Sequence, residues 1–329
     1  MPLPEPTPQS LPRWRGFNLL EKFLAEKDAP YREADFALLA DWGFNFVRLP
    51  MSYLCWTDPQ DLLTFHEEVL AEIDQAIEWG RQYSIHVNLN VHRAPGYCVN
   101  PPAEPLDLWN DTEAMDLCAH HWHVFARRYK GIPNSQLSFN LVNEPADIPE
   151  SAYTRVVAHL VSAIRAGDLG RLIIADGRRW GTQPTPALAY LHIAQSTRGY
   201  APFGLTHYRA PWVKGSEHWP VPAWPMPGTP PYTQEIMHRE MIVPWQSLES
   251  TGVGVHVGEW GAFIHTPHDV ALRWMHANLQ LWQRANWGWA LWNLRGGFGI
   301  LDSGRHDTPL EPFRGHMLDR KMLELLQAF

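Results

Sequence analysis

Residues 136–145 read Gln136-Leu137-Ser138-Phe139-Asn140-Leu141-Val142-Asn143-Glu144-Pro145, and the rest of the chain is organised around them. The first part is short and mostly apolar, which is typical of a strand buried on both faces. Asn143 and Glu144 follow at its end, and Pro145 stops it. A glutamate at this position either caps the next helix or acts as a catalytic acid, and this stretch by itself leaves both interpretations open.

A second stretch far along the chain has the same design. Residues 254–261 read Gly254-Val255-His256-Val257-Gly258-Glu259-Trp260-Gly261, again a strand with a glutamate at its end. Glycoside hydrolysis needs two carboxyl groups, one that protonates the leaving oxygen and one that attacks the sugar or activates water. The pair Glu144 and Glu259 therefore favours the catalytic interpretation.

The composition limits the class of protein. The chain has 329 residues, 45% of them hydrophobic, and a net charge of −8, so polyanionic partners such as nucleic acid or acidic lipid are not expected. No apolar run approaches the roughly 20 residues of a membrane span. The wide spacing of Cys55, Cys98 and Cys118 fits thiols in a reducing compartment.

Residues 1–12 carry five prolines and no apolar core typical of a signal peptide, which predicts an extended arm. We therefore expect a cytoplasmic monomer, although a secreted protein that has lost its signal peptide would have the same sequence.

Eight strand patterns alternate with helical patterns at a mean spacing of about 40 residues, the rhythm of an α/β protein with a single (β/α)8 TIM barrel. We assign residues 13–329 to this barrel as the catalytic domain. An open doubly wound sheet is the alternative, but it requires a glycine-rich phosphate turn after an early strand, and the sequence has none. The predicted strands are 15–18, 45–50, 85–92, 136–142, 171–176, 203–206, 254–259 and 288–292.

Nearly every predicted strand ends in a hydrogen-bonding or aromatic residue. In a parallel barrel all carboxyl ends of the strands meet at one face, so these side chains converge there. In chain order they are Asn18, Arg48, His92, Asn143 with Glu144, His207 with Tyr208, Glu259 and Trp292.

This order of residues resembles glycoside hydrolase family 5, the cellulase family, from about residue 15 to residue 325. The family pattern is arginine on strand two, histidine on three, Asn-Glu-Pro on four, His-x-Tyr or His-Tyr on six, glutamate on seven and tryptophan on eight. We predict that this chain matches it at every position. The segments 15–21 and 92–97 look most like subfamily 25, whose members mix β-1,4-glucanase, β-mannanase and mixed-linkage glucanase activities.

The resemblance implies a retaining mechanism with Glu144 as acid/base and Glu259 as nucleophile. Charge pairing with Arg48 can keep Glu259 ionised, and the charge of Glu259 should raise the pKa of Glu144. The resemblance further implies that Asn143 donates to the 2-hydroxyl of the sugar at subsite −1.

The remaining positions are assigned to support and to sugar binding. Tyr208 is expected beside the nucleophile, and His207 is expected to orient the acid/base. His92 would bind sugar hydroxyls and Trp292 would give the sugar a flat apolar platform. The candidates for deeper contacts are Asn18 and Glu21, the latter alternatively a salt-bridged rim residue. Further subsites could be lined by Trp109, Trp180, Trp212 and Trp260.

No cofactor or metal is expected. His120, His121 and His123 lie near Cys118, but helical spacing turns His121 away from the other two histidines, whereas a zinc site needs three or four convergent ligands.

We therefore predict a retaining endo-β-1,4-glucanase acting on β-glucan or glucomannan. The alternatives are a β-mannanase, a mixed-linkage glucanase, an exo-acting enzyme if loops close one end of the cleft, and a non-catalytic sugar-binding barrel. The last should lack a catalytic carboxylate, and both are present.

Overall fold

A computed structural model describes residues 3–329 of the protein, and its centre is a closed barrel of eight parallel strands. Each strand pairs with its neighbours in the chain, and the eighth pairs with the first. This confirms the predicted (β/α)8 barrel, and the open doubly wound alternative is wrong. The strands are β1 Arg15–Asn18, β2 Phe46–Ser52, β3 His86–Arg93, β4 Leu137–Val142, β5 Ile173–Asp176, β6 Ala194–Gly199, β7 Val255–Trp260 and β8 Trp289–Leu291.

Helices cover the outside of the barrel, because each crossover between parallel strands must return the chain to the same end. In the second of them, Val69, Ile73 and Ile77 are buried on one face, which is the amphipathic pattern of a helix packed on a sheet. The helices are α1 Glu33–Asp41, α2 Glu67–Tyr83, α3 Thr112–Arg128, α4 Glu150–Gly167, α5 Gln234–Met237, α6 Val243–Glu249, α7 His268–Ala285 and α8 Arg320–Gln327.

Shorter elements complete the chain. A π-helical turn at His238–Ile242 joins α5 to α6, and two small hairpins pair Thr57–Asp58 with Asp61–Phe65 and Glu311–Phe313 with His316–Leu318. One-turn segments are Ala25–Lys27, Tyr53–Cys55, Arg178–Gly181, Pro186–Leu191, Phe203–Thr206 and Ser216–His218. Within residues 3–329, no helix combines the length and the apolar character needed to cross a membrane.

Aromatic rings close the amino-terminal end of the barrel. Trp14 stacks on His86 with ring centroids 3.8 Å apart and on Phe46 at 5.4 Å. A Cβ atom at Gly16 would lie 1.7 Å from the carbonyl oxygen of Phe46, so only glycine lets β1 approach β2 this closely.

The predicted arm 1–12 lies partly outside the described residues, which begin at residue 3. Its described part runs along the start of β7, where the backbone N–H of Gly254 donates to the carbonyl oxygen of Pro8 at 2.7 Å. Leu11 is buried against the same end of the barrel as Trp14.

The prediction of the sixth strand at 203–206 is wrong, because these residues form a one-turn helix and the strand is Ala194–Gly199. That strand is polar yet fully buried, since its side chains find partners inside the protein. Gln195, for example, exchanges two hydrogen bonds of 2.9 and 2.8 Å with the backbone of Thr185. A buried polar strand has no apolar pattern by which the sequence could reveal it.

Candidate active site

The carboxyl ends of the strands surround a cavity of about 1110 Å³. Glu144 and Glu259 both line it, one just after β4 and the other near the end of β7. Glu144 has a left-handed backbone with φ of 46°, which is uncommon for a residue with a Cβ atom. Two hydrogen bonds hold it there: its N–H donates to Asp176 at 3.0 Å, and the Tyr97 hydroxyl donates to its carbonyl oxygen at 2.6 Å.

Glu259 is 3% exposed, and three polar side chains approach its carboxylate. Nη1 of Arg48 lies 2.6 Å from Oε1, and Nη2 of Arg198 lies 3.3 Å from the same oxygen. The Tyr200 hydroxyl donates to Oε2 at 3.2 Å. Burial and then the charge of Glu259 raise the pKa of Tyr200, so this hydroxyl keeps its proton. Two guanidinium groups and a hydroxyl thus stabilise the ionised form of Glu259.

Arg48 is fixed by three asparagines in addition to Glu259. Its Nε donates to Asn140 at 2.9 Å, Nη1 to Asn18 at 2.9 Å and Nη2 to Asn143 at 2.7 Å. The guanidinium group is only 1% exposed, so these amide oxygens replace the water it has lost.

Arg198 and Asp176 form a second buried ion pair beneath the two glutamates. The Nε of Arg198 donates to Oε1 of Glu144 at 2.9 Å, and its Nη2 lies near Glu259 and also donates to Asn143 at 2.8 Å. One guanidinium group therefore touches both carboxylates, which keeps them close together on the same side of the cavity.

The two glutamates differ in their surroundings. Burial and then the negative charge of Glu259 raise the pKa of Glu144 to about 8, against the opposing positive charge of Arg198. One guanidinium group forms an ion pair with Glu144, whereas two form ion pairs with Glu259. The arrangement therefore favours the protonated form of Glu144 near neutral pH, while two guanidinium groups lie against the Glu259 carboxylate.

His92 is held in one tautomer. Because Oδ1 of Asn143 accepts from Arg48 and Arg198, the Nδ2 of this amide faces Nε2 of His92, at 3.3 Å. Nε2 must then accept, and the proton is on Nδ1. Burial and then the charge of Arg48 lower the pKa of His92 well below its usual range, so the ring is neutral.

Aromatic side chains line the cavity on either side of the glutamates. On one side, Trp292 lies 5.6 Å from the His92 ring, and Phe23 lies 5.4 Å from Trp292. On the other side, the half-exposed Trp180 and Trp212 line the cavity. The other two candidate tryptophans, Trp109 and Trp260, are buried in the core.

The assignment of Tyr208 and His207 requires correction. The residue beside Glu259 is Tyr200, which follows the true sixth strand, while Tyr208 is buried under the guanidinium group of Arg209 at 5.3 Å. His207 lines the cavity but stacks on Phe203 at 4.0 Å, and its Nδ1 pairs with Thr206 at 3.0 Å. The contact with Glu144 that was expected from His207 comes from Arg198.

Asn18 and Glu21 are also placed differently from the prediction. Asn18 lies beneath the cavity, where its Nδ2 donates to the carbonyl oxygens of Gly258 and Leu291 at 3.1 and 3.0 Å. It therefore supports Arg48 and not a sugar. Glu21 lies outside the cavity, where burial and then the nearby Asp35 raise its pKa.

Three residues at or beside the cavity are absent from the sequence prediction: Asp176, Arg198 and Tyr200. The segment Arg198-Gly199-Tyr200 stands where the family pattern has His-x-Tyr, so the chain departs from that pattern in having an arginine. The tyrosine at the end of Arg-Gly-Tyr is a usable sequence signal, but His207-Tyr208 also fits the family pattern and directly follows the segment predicted as strand six. Asp176 ended a predicted strand and could have been included on that ground.

Within residues 3–329, no group of three histidine, cysteine or acidic side chains is arranged to hold a metal ion. His121 accepts from Trp56 at 3.1 Å and pairs with the carbonyl oxygen of Leu62 at 2.8 Å, so it is a satisfied core residue.

Comparison with known proteins identifies the family of the chain. The family model described as Cellulase (glycosyl hydrolase family 5) matches residues 6–297. A crystal structure of a glycoside hydrolase superposes with a TM-score of 0.90 at 37% identity, covering 96% of this chain and 99% of that one.

Two endoglucanases are more distant relatives. Endoglucanase Cel5A from Thermotoga maritima superposes with a TM-score of 0.78 at 21% identity, covering 95% of this chain and 96% of that one. Structures of that enzyme include complexes with cellobiose and with mannotriose. Endoglucanase C from Acetivibrio thermocellus is 22% identical over 288 residues, which is 80% of this chain and 83% of that protein.

The match to the family model covers most of the chain, and the barrel places two glutamates in one cavity. The chain belongs to glycosyl hydrolase family 5, the cellulase family, and is a glycoside hydrolase.

Proposed function

We propose that this enzyme is a retaining endo-β-1,4-glucanase with Glu259 as nucleophile and Glu144 as acid/base. The observation that carries the proposal is that Arg198 contacts both carboxylates while their surroundings favour opposite protonation states. Retaining enzymes need the two carboxyl groups about 5–5.5 Å apart, and a shared guanidinium group supports such a short separation.

In the first step, Glu259 attacks the anomeric carbon while Glu144 gives its proton to the glycosidic oxygen. The bond from carbon to that oxygen breaks, its electron pair goes to the leaving sugar, and a glycosyl ester forms on Glu259. The Tyr200 hydroxyl and the Arg48 guanidinium hold the attacking carboxylate in position.

In the second step, the ionised Glu144 takes a proton from water, which attacks the same carbon and releases Glu259. Esterification has removed the negative charge of Glu259, so one cause of the raised pKa of Glu144 is absent at this stage. The same side chain can therefore act first as acid and then as base.

The endo mode of attack is supported by aromatic surfaces on both sides of the glutamates. Trp292 and His92 lie on one side, and Trp180 and Trp212 on the other, so sugars can be bound beyond each end of the cleaved bond. We infer that Trp292 and His92 form subsite −1, with Asn143 behind them.

A broad β-glycanase that also cleaves mannan is the second candidate. It is favoured by one specific observation: the distantly related Thermotoga maritima endoglucanase has been solved with both cellobiose and mannotriose. Mannose differs from glucose in the orientation of the 2-hydroxyl, so the discrimination would lie near His92 and Asn143.

The catalytic roles are tested with Glu259→Ala and Glu144→Ala, using the exposed Glu324→Ala on α8 as control. We expect Glu259→Ala to lose all but trace activity and Glu144→Ala to retain activity only on aryl glycosides with good leaving groups, because these need no proton. Azide should restore turnover in the Glu259 variant and give a glycosyl azide of inverted configuration. Substantial hydrolysis by Glu259→Ala without azide contradicts the nucleophile assignment.

The substrate class is tested by initial rates of reducing-end release on carboxymethylcellulose, mixed-linkage β-glucan, glucomannan and pure mannan with one enzyme stock. Cleavage of the glucans with an inert mannan is expected for a glucanase. Comparable rates on mannan would replace this proposal with the broad β-glycanase.

A further inference from the structure

Arg198 contacts both glutamates and several of the residues around them. Besides Glu144, Glu259 and Asn143, it pairs with Asp176 and donates from Nη1 to Ser196 at 3.1 Å. Its methylene stem is covered by the turn Arg178–Gly181, and a Cβ atom at Gly181 would lie 2.4 Å from Cγ of Arg198. The guanidinium group is therefore fixed in place before any substrate arrives.

The bond from Arg198 to Glu144 distinguishes the two oxygens of that carboxyl group. Nε–H is a donor in every protonation state of the protein, so Oε1 of Glu144 must accept from it. In the protonated carboxyl group the proton is then on Oε2, which has no hydrogen-bond partner among residues 3–329. Glu144 lines the cavity, so this oxygen is the one available to a glycosidic oxygen.

Arg198 also enters the charge balance of the site. Arg48 and Arg198 are positive, while Asp176 and Glu259 are negative, so these four groups are neutral together. Ionised Glu144 would add an unbalanced negative charge as long as Glu259 is ionised. Once Glu259 is an ester, the remaining positive charge favours ionised Glu144.

We propose that Arg198 is a positioning residue for proton transfer: its Nε–H places the transferable proton on Oε2 of Glu144, and its fixed charge allows Glu144 to release that proton. This inference rests on the acid/base role proposed for Glu144. The titratable and charged groups that face Glu144 are Arg48 on β2, Tyr97 and Cys98 after β3, Asp176 on β5, Arg198 and Tyr200 on and after β6, and Glu259 on β7.

The test compares Arg198→Gln, Arg198→Lys and the double variant Arg198→Gln/Asp176→Asn. The double variant avoids leaving the Asp176 carboxylate buried without its partner. Arg128→Gln is the matched control, because Arg128 also pairs with two carboxylates, Asp74 and Glu67, on the outside of the barrel. Thermal unfolding of each variant establishes that it is folded.

The readout is kcat/KM against pH for 2,4-dinitrophenyl β-cellobioside, which needs no proton on its leaving group, and for phenyl β-cellobioside, which does. Removing a positive charge next to a carboxyl group shifts its pKa by about 1–3 units. We expect the basic limb of the phenyl profile to move upward by that amount in Arg198→Gln, and by less in the double variant, because loss of the Asp176 carboxylate lowers the pKa of Glu144 again. At pH 6 the phenyl rate should fall at least about tenfold more than the dinitrophenyl rate, since general acid catalysis contributes about 10²–10⁴-fold.

Arg198→Lys separates charge from geometry. It should keep the basic limb near its original pH and still lose rate selectively on the phenyl substrate. Equal losses on both substrates in the folded Gln variants, together with an unmoved basic limb in Arg198→Gln, would overturn the proposal and leave Arg198 a purely structural residue. Failure of the acid/base assignment itself is seen separately, as an equal loss on both substrates in Glu144→Ala with Arg198 intact.

Discussion

Replacing Tyr200 by phenylalanine removes one hydroxyl from the Glu259 carboxylate. Tyr200 donates to Oε2 at 3.2 Å, whereas Arg48 and Arg198 both approach Oε1. Oε2 thus has one hydrogen-bond donor among residues 3–329. Without it, the carboxylate is still held at one oxygen but can rotate about its bond to the side chain.

The size of the effect follows from this single contact. A hydrogen bond to a charged group contributes about 1.5–3 kcal/mol. A distance of 3.2 Å is long for a hydroxyl donor, so we take about 1.5–2 kcal/mol from the lower part of that range. Each 1.36 kcal/mol is about a factor of ten in rate. We therefore expect kcat/KM to fall about 10- to 30-fold, because the reacting carboxylate must be aligned in the transition state.

The assay is hydrolysis of 2,4-dinitrophenyl β-cellobioside, which depends on the nucleophile and not on proton donation. Tyr208→Phe is the matched control, because Tyr208 is buried under Arg209 and away from Glu259. It should stay within about twofold of the parent enzyme. If Tyr200→Phe retains parental kcat/KM, or if Tyr208→Phe loses as much, the placement of Tyr200 beside the nucleophile is refuted.

Three further predictions concern stability and binding. Burial lowers the pKa of His256 to about 3. Below the ordinary histidine pKa of about 6.5, the unfolded chain therefore binds a proton that the folded chain does not. The free energy of unfolding thus decreases as the pH falls from about 6.5 toward 3, by about 2 kcal/mol at pH 5. Between pH 7.5 and pH 5, the free energy of unfolding measured in urea should fall by about 2 kcal/mol less in His256→Asn than in the parent protein. An equal fall in both proteins contradicts the reasoning. Trp180→Ala should raise KM for cellohexaose about tenfold with kcat unchanged, because about 1–2 kcal/mol of apolar contact is lost. The kinetics on dinitrophenyl cellobioside should not change. A drop in kcat on cellohexaose instead would argue against a binding role. Arg48→Lys should leave Oδ1 of Asn140 without the Nε donor and reduce the free energy of unfolding by about 1–3 kcal/mol. The urea midpoint measures this loss, and Arg128→Lys should change the midpoint little.

The barrel and its two glutamates were predictable from the sequence because local patterns carry them. Strands β4 and β7 are short runs between turn residues, and each delivers a glutamate to the same end of a parallel barrel. Trp292 follows from the same rule, since it comes directly after β8, whereas Arg48 is the third residue of β2 and lies deeper in the barrel than the rule implies.

The sixth strand was not predictable in this way. Its residues Gln195, Ser196, Thr197 and Arg198 are buried because specific partners elsewhere in the fold satisfy them, and such pairing leaves no periodic apolar signal. Because the predicted strand begins nine residues after the true one, the tyrosine expected beyond its end is Tyr208 in the prediction and Tyr200 in the structure. The roles of Asn18 and Asp176 were hidden for a related reason, since their partners are backbone carbonyls and an arginine that only the closed barrel brings near.

The departure at the end of β6 is tolerated because it comes with a compensating charge. A neutral histidine at the position of Arg198 would need no counter-ion, whereas a buried guanidinium group does. Asp176 supplies that charge from the neighbouring strand, and the pair adds no net charge beneath Glu144 and Glu259. Arg198 can therefore contact Glu144 without leaving an unbalanced positive charge beneath the two glutamates. Because the pair is neutral, the raised pKa of Glu144 follows mainly from burial and from the charge of Glu259, and the two carboxyl groups keep different surroundings although the chain has an arginine at this position.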